Sequence, residues 1–142
     1  MPEVPDPSSL ELIFPAPAAS GARMGVRPIF GSPQHLQDST HTTGWVRETS
    51  GRTIDHLQLA FLADHRAPRS FLWSDGPRPS TTLTLSVYFH ATNDELASVG
   101  DDEVLSEAFG IRGTQSTSEE HLRLWSRSGA LLATSVQMDW YR

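Results

Sequence analysis

Helical spacing of apolar residues occurs in one stretch of this chain, and strand-like patterns fill most of the rest. Ile54, Leu57, Phe61 and Asp64 recur at intervals of three and four, so Ile54 to Arg66 is predicted as a helix with these four residues on one face. Thr53 or Asp55 can cap its start, and Pro68 cannot continue it. From Thr82 to His90 the period changes to two. Leu83, Leu85, Val87 and Phe89 alternate with Thr82, Thr84, Ser86, Tyr88 and His90, the mark of a half-buried strand. Gly25 to Phe30, Thr43 to Glu48 and Glu103 to Arg112 are further strand candidates. His121 to Ser126 and Ala130 to Tyr141 flank Arg127-Ser128-Gly129, a hairpin turn. Gly31 to Thr42, Asn93 to Asp102 and Gly113 to Ser118 read as polar connections. One helix among many strands predicts an α+β domain, a central helix wrapped by one curved antiparallel sheet.

The 142 residues suit one domain with its own core. Residues 1–22 are rich in Pro, Ala and Ser around an apolar patch, Leu10 to Phe14, and read as an arm or linker. The domain proper is expected over residues 23–142, with the arm adding little to its stability unless Leu10 to Phe14 packs as a strap.

Composition removes whole classes of function. The net charge of −6 argues against nucleic-acid binding, which needs a basic face. Cysteine is absent, which excludes disulfides and thiolate zinc sites. All eleven basic residues are arginine, so Schiff-base chemistry on lysine is excluded too. No apolar run reaches membrane-spanning length, so no membrane partner is expected. Glu3 and Asp6 stand where a secretory leader carries positive charge, and the expected location is cytoplasmic. There is no Gly-x-Ser-x-Gly and no phosphate-binding glycine loop. His56 and His65 are nine apart, and His35, His41 and His90 lack partners at ligand spacing. Asp94, Glu95, Asp101, Asp102 and Glu103 lack calcium-loop spacing. No metal and no cofactor is expected. Trp45, Trp73, Trp125 and Trp140 read as core or interface anchors.

Asp64 is the residue that breaks the pattern. It continues the apolar stripe near the helix C-terminus, where the dipole disfavours negative charge. If the helix reaches it, its carboxyl points inward and its pKa rises; if the helix frays first, it faces water.

Three segments together resemble the C-terminal half of the acyl-CoA thioesterase II family. They are Thr53 to Asp64, like the family's central helix with its terminal aspartate; Thr82 to His90, like its threonine-bearing strand; and Gly129 to Gln137, like its final strand with a glutamine. Trp45-Val46-Arg47 is similar to the entry of that domain. The sequence departs at Thr84-Leu85, where the family often has Asp-His, and at Ala91-Thr92, where Arg-Pro is common. The resemblance implies a hot-dog fold and a thioesterase of acyl-CoA substrates. Asp64, with Thr82 and Gln137, would position and deprotonate a water that attacks the thioester carbonyl. Backbone N–H groups near the helix start would serve the oxyanion. Arg66, Arg69, Arg78 and Arg127 are candidates for the coenzyme A phosphates. Other readings stay open. Thr82 has ordinary strand propensity, and its face opposes Leu83, Leu85 and Val87, so a bulge is needed to bring it to Asp64. Gln137 fits a solvent-facing position equally well. The chain can instead be a non-catalytic subunit that binds acyl-CoA or supports a partner, or the C-terminal fragment of a two-half thioesterase. It is expected to work as a homo-oligomer or paired with a second hot-dog half.

Overall fold

The computed structural model describes residues 1–14, 23–31, 37–73 and 78–142. Among them six strands form one sheet: β1 (Met24–Phe30), β2 (Thr42–Glu48), β3 (Ser80–Phe89), β4 (Val104–Thr114), β5 (Thr117–Trp125) and β6 (Leu131–Tyr141). Their order is β1-β2-β4-β5-β6-β3, and every neighbouring pair is antiparallel. Helix α1 (His56–Ala63) packs against β2, β5, β6 and β3, so the sheet wraps it from both sides. The core forms where they meet. Leu59, Leu62 and Ala63 of α1 join Val46, Val104, Ala108, Leu122, Leu124, Leu132 and Ala133. Each fully buried leucine contributes about 1.5–3 kcal/mol. No helix among the described residues is long and apolar enough to cross a membrane.

The helix is shorter than its spacing predicts, and its buried face differs. Asp55 is the N-cap: its carboxylate accepts from Gln58 N at 2.8 Å, with Asp55 itself extended. Ile54 therefore precedes the helix, and a stripe counted from it is out of phase. Gln58, Leu59, Leu62 and Ala63 face inward, while Leu57 is 73% exposed. Two connections also prove to be structured. Within Asn93 to Asp102 lies a second helix, α2 (Asn93–Val99). Thr92 Oγ1 accepts from Glu95 N at 3.2 Å, and Thr92 N donates to the Glu95 carboxylate at 2.8 Å, a reciprocal cap that Thr92 and Glu95 advertise in the sequence. Leu96 anchors it in the core. Gly113 to Ser118 is mostly strand: β4 and β5 continue to a pair at Thr114 and Thr117. Only Gln115 and Ser116 turn, with φ of 50° and 63°. Two left-handed residues in succession match the twist of a tight hairpin, but neither is the Gly or Asn that normally signals one.

The arm is docked on the sheet over residues 1–14. Trp45 of β2 is 2% exposed, and its indole N–H donates to Pro5 O at 2.9 Å. Arg27 donates to Leu10 O, and Ile13 exchanges two backbone hydrogen bonds with Val26, at 2.8 and 2.9 Å. Arg127 pairs with Asp6. These bonds place the arm beside β1 at one edge of the sheet. At the other edge β3 exposes Leu83, Tyr88 and Phe89.

Candidate active site

The bulge that Thr82 needs is present in β3. Thr82 pairs with Asp139 of β6, but Thr84 pairs with Met138, so Leu83 is the extra residue. Below the bulge, Leu85 faces Gln137 and Val87 faces Ser135 across the ladder. Residues opposed in a ladder share a face. Thr82 thus joins the helix-facing side with Leu85 and Val87, while Leu83 turns out and is 54% exposed. The simple alternation holds from Leu85 onward and fails by one residue where the site is built.

Gln137 points inward. Ala133, Ser135, Gln137 and Asp139 are buried in alternation along β6, beside buried Leu132, and Gln137 retains only 6% of its surface. Its amide Nε2 donates to Thr82 Oγ1 at 2.8 Å and to Asp139 Oδ1 at 3.0 Å. Asp64 approaches from the end of α1. The helix stops at Ala63, and Asp64 is the C-cap, with φ −98° and ψ 4° and its N–H on Phe61 O. Asp64 is solvent-accessible, but it looks into a recess of about 190 Å³ that it shares with Arg66, Pro68, Ser80, Thr81, Thr82, Gln137 and Asp139. The structure therefore gathers Asp64, Thr82 and Gln137 around one opening. Partial burial raises the Asp64 pKa, and the neighbouring carboxylate of Asp139 raises it further.

Asp139 is the site residue that sequence reasoning misses. It is 2% exposed and follows Gln137 by two, which on a strand means the same face. That spacing was the available signal. Burial raises its pKa, while hydrogen bonds from Gln137 and Thr82 and the charge of Arg69 act against the rise.

The arginine candidates divide. Arg69 is 1% exposed and committed to the interior: it pairs with Glu120, and donates to Thr40 O, Thr42 Oγ1 and Ala67 O. Arg66 lines the recess, but its guanidinium donates to the hydroxyl and carbonyl of Ser106. Arg127 holds Asp6 and Asp102. Arg78 is exposed. The helix start does not serve this recess. An eight-residue helix is about 12 Å long, the recess opens at its C-terminal end, and the Gln58 N–H is taken by Asp55.

The histidines near the site are occupied elsewhere. His65 follows Asp64, but burial lowers its pKa to about 3, and its Nδ1 meets Leu62 O, so it stays neutral. His56 stacks edge-on against Phe89, and His90 meets Thr134 Oγ1 at 3.0 Å. His35 lies outside the described residues. Among the described residues no three acidic or histidine side chains converge at metal-ligand spacing.

Comparison with solved structures bears on the fold. A protein of unknown function with a hot-dog fold from Alicyclobacillus acidocaldarius superposes with a TM-score of 0.94 at 31% identity. All of this chain is covered, and 54% of that one. A tesB protein from Mycobacterium avium subspecies paratuberculosis matches at 0.74 and 21% identity, over 100% of this chain and 54% of that one. Acyl-CoA thioesterase II TesB2 from Mycobacterium marinum matches at 0.70 and 18%, over 100% and 55% respectively. The chain thus spans about half the length of these three structures. No curated protein matches it. The fold is the hot-dog fold, an α+β architecture. A model of the acyl-CoA thioesterase C-terminal domain matches residues 2–138, and the chain belongs to that family.

Proposed function

We propose that this domain hydrolyses acyl-CoA thioesters by water activated at Asp64. One observation carries the reading: a bulge in β3, the inward face of β6 and the end of α1 bring Thr82, Gln137 and Asp64 to one recess. A base must lie beside the water it deprotonates, with a pKa high enough to accept a proton. The raised pKa of Asp64 suits that role, and its accessibility leaves room for water. In the reaction Asp64 takes a proton from water as the oxygen adds to the thioester carbonyl carbon. The tetrahedral intermediate then breaks its C–S bond, and the departing thiolate of coenzyme A recovers the proton. Free acid and thiol result.

The recess is lined by Ser80, Thr81 and Thr82 of β3, an edge strand that also exposes Leu83, Tyr88 and Phe89. A second hot-dog half paired along this edge would supply the missing wall, as a second copy or as the other half of a longer chain. The protein would then act in the cytoplasm as a homo-oligomer or a two-half assembly. The departures at Thr84-Leu85 and Ala91-Thr92 favour the rival reading, a half that binds acyl-CoA or supports its partner without turnover.

The test is release of free thiol from a ladder of acyl-CoA lengths, with wild type and Asp64→Asn side by side. Turnover that depends on Asp64 supports the reading. A folded wild type that binds acyl-CoA and releases no thiol establishes the rival.

A further inference from the structure

We propose that Asp139 is a positioning residue of this site, fixing Gln137 so that its carbonyl oxygen, not its N–H, serves the recess. The inference rests on the thioesterase reading above. Gln137 has two N–H groups, and two acceptors take them: Thr82 Oγ1 at 2.8 Å and Asp139 Oδ1 at 3.0 Å. An ionised carboxylate only accepts, so Asp139 compels the amide to present nitrogen to it. Oε1 is the group left for the recess that Gln137 lines. The amide therefore cannot polarise a thioester carbonyl, which needs a donor. It can accept one hydrogen of a water whose other hydrogen goes to Asp64. Held by two acceptors, that water keeps a lone pair free for the electrophile.

Asp139 also stands at the right place to act on Asp64 by charge. It occupies the β6 position opposite Thr82, and both aspartates open on the same recess. The other charged groups around the pair are few. Arg66 lines the recess but is bound to Ser106; Arg69 attracts Asp139 yet is engaged by Glu120; and Glu120 adds a further carboxylate on β5. Like charges sharing a site hold on to protons. The effect on the Asp64 pKa is upward, the direction a base needs. Titrations of two such groups belong to the pair.

The deciding experiment compares wild type, Asp139→Asn and Asp139→Ala. Asn removes the charge and keeps an acceptor for Gln137; Ala removes both. Carboxyl-carbon NMR should show the Asp64 midpoint moving to lower pH in both variants. The acidic limb of kcat/KM should move the same way. In Asp139→Ala, kcat should fall by a further factor of about 10–100, the usual worth of a hydrogen bond to a charged group, with KM held. Asp139→Glu should restore part of that loss. If Asp139→Ala does not fold, Asp139→Asn alone still decides, through the Asp64 midpoint and the acidic limb. An active enzyme that keeps its wild-type kcat in folded Asp139→Ala, or whose Asp64 midpoint and acidic limb are unmoved in Asp139→Asn, overturns the role of Asp139 and leaves the thioesterase reading standing. Variants that show the midpoint shift beside a wild type that hydrolyses no acyl-CoA overturn the thioesterase reading and with it the catalytic purpose of Asp139.

Discussion

Two polar groups are buried side by side in this domain, on registered neighbours of β5 and β6, Glu120 and Gln137. Around Glu120 the charge is balanced: Arg69 pairs with it and spends its other N–H groups on Thr40, Thr42 and Ala67. Around Gln137 it is not. Asp139 is held by the neutral groups of Gln137 and Thr82, with Arg69 acting on it from a distance, and its charge acts in turn on Asp64. A buried charge is costly unless paired. The first group therefore reads as fold, and the second, where Asp139 has no ion pair among the described residues, fits the site proposed above. Natural sequences break local rules where function demands it.

The comparison can be broken most sharply at Asp64. Asp64→Asn should lower thiol release by about 10²–10⁴-fold, the share of a general base, while its melting temperature holds or rises. Unchanged turnover in a folded variant would remove Asp64 from the mechanism. At the balanced group the expectation inverts. Arg69→Met should cost about 3–5 kcal/mol, because Glu120 is left buried and alone; denaturant unfolding measures it, and a loss below about 1 kcal/mol would erase the contrast. The arm tests a third kind of contact. Deleting residues 1–14 should cost about 2 kcal/mol, from uncovering Trp45 and freeing the Val26 edge. Pro and Ala content led to the expectation of a dispensable tail, and the Ile13–Val26 bridge favours the strap alternative at Leu10 to Phe14.

A finer test uses pH. The folded pKa of Asp64 lies above its ordinary value of 3.8, so the protonated form is the one the fold favours. The contribution of Asp64 to stability is fully present below about 3.8 and is lost as pH rises through the higher folded value. Asp64→Asn should therefore be more stable than wild type at pH 7, with the difference closing as pH falls toward 3.8. Melting curves of both proteins across that window decide it; a gap that widens on acidification contradicts the raised pKa. The smallest effect belongs to the surface. Arg127→Ala breaks pairs with Asp6 and Asp102 that are open to solvent, and activity should not change.

The strands and the single long helical segment were legible because their periods are set by backbone geometry. Where reading failed, the cause was local. The phase of α1 is set by the Asp55 cap, which displaces Ile54 from the helix, so that Leu57 is exposed while Gln58, Leu59, Leu62 and Ala63 are buried. The turn at Gln115 and Ser116 adopts a shape usually reserved for Gly and Asn. Helix α2 was readable from Thr92 and Glu95, but its acidic composition suggested a loop. At the site, Asp64 stood out by breaking the helical stripe, whereas Thr82 and Gln137 stood out only through family likeness. The bulge at Leu83 that unites them leaves no mark in the alternation of β3, because threonine and leucine both suit strands. Asp139 was within reach of the period-two rule applied from Gln137.

The sheet order carries one more consequence, for the sequence of events in folding. β4, β5 and β6 form a meander of consecutive hairpins, whose ends meet with little loop to close. β3 instead leaves the chain before that meander and returns to pair with its last strand. The bond between Thr82 and Gln137 spans 55 positions in sequence. Closing a long loop is entropically slower than forming a hairpin. β3 is therefore expected to dock after the meander has formed. A chain caught before that step would hold its Arg69-side core and lack the recess altogether, so catalytic competence would arrive with the final strand and serve as a report that folding is complete.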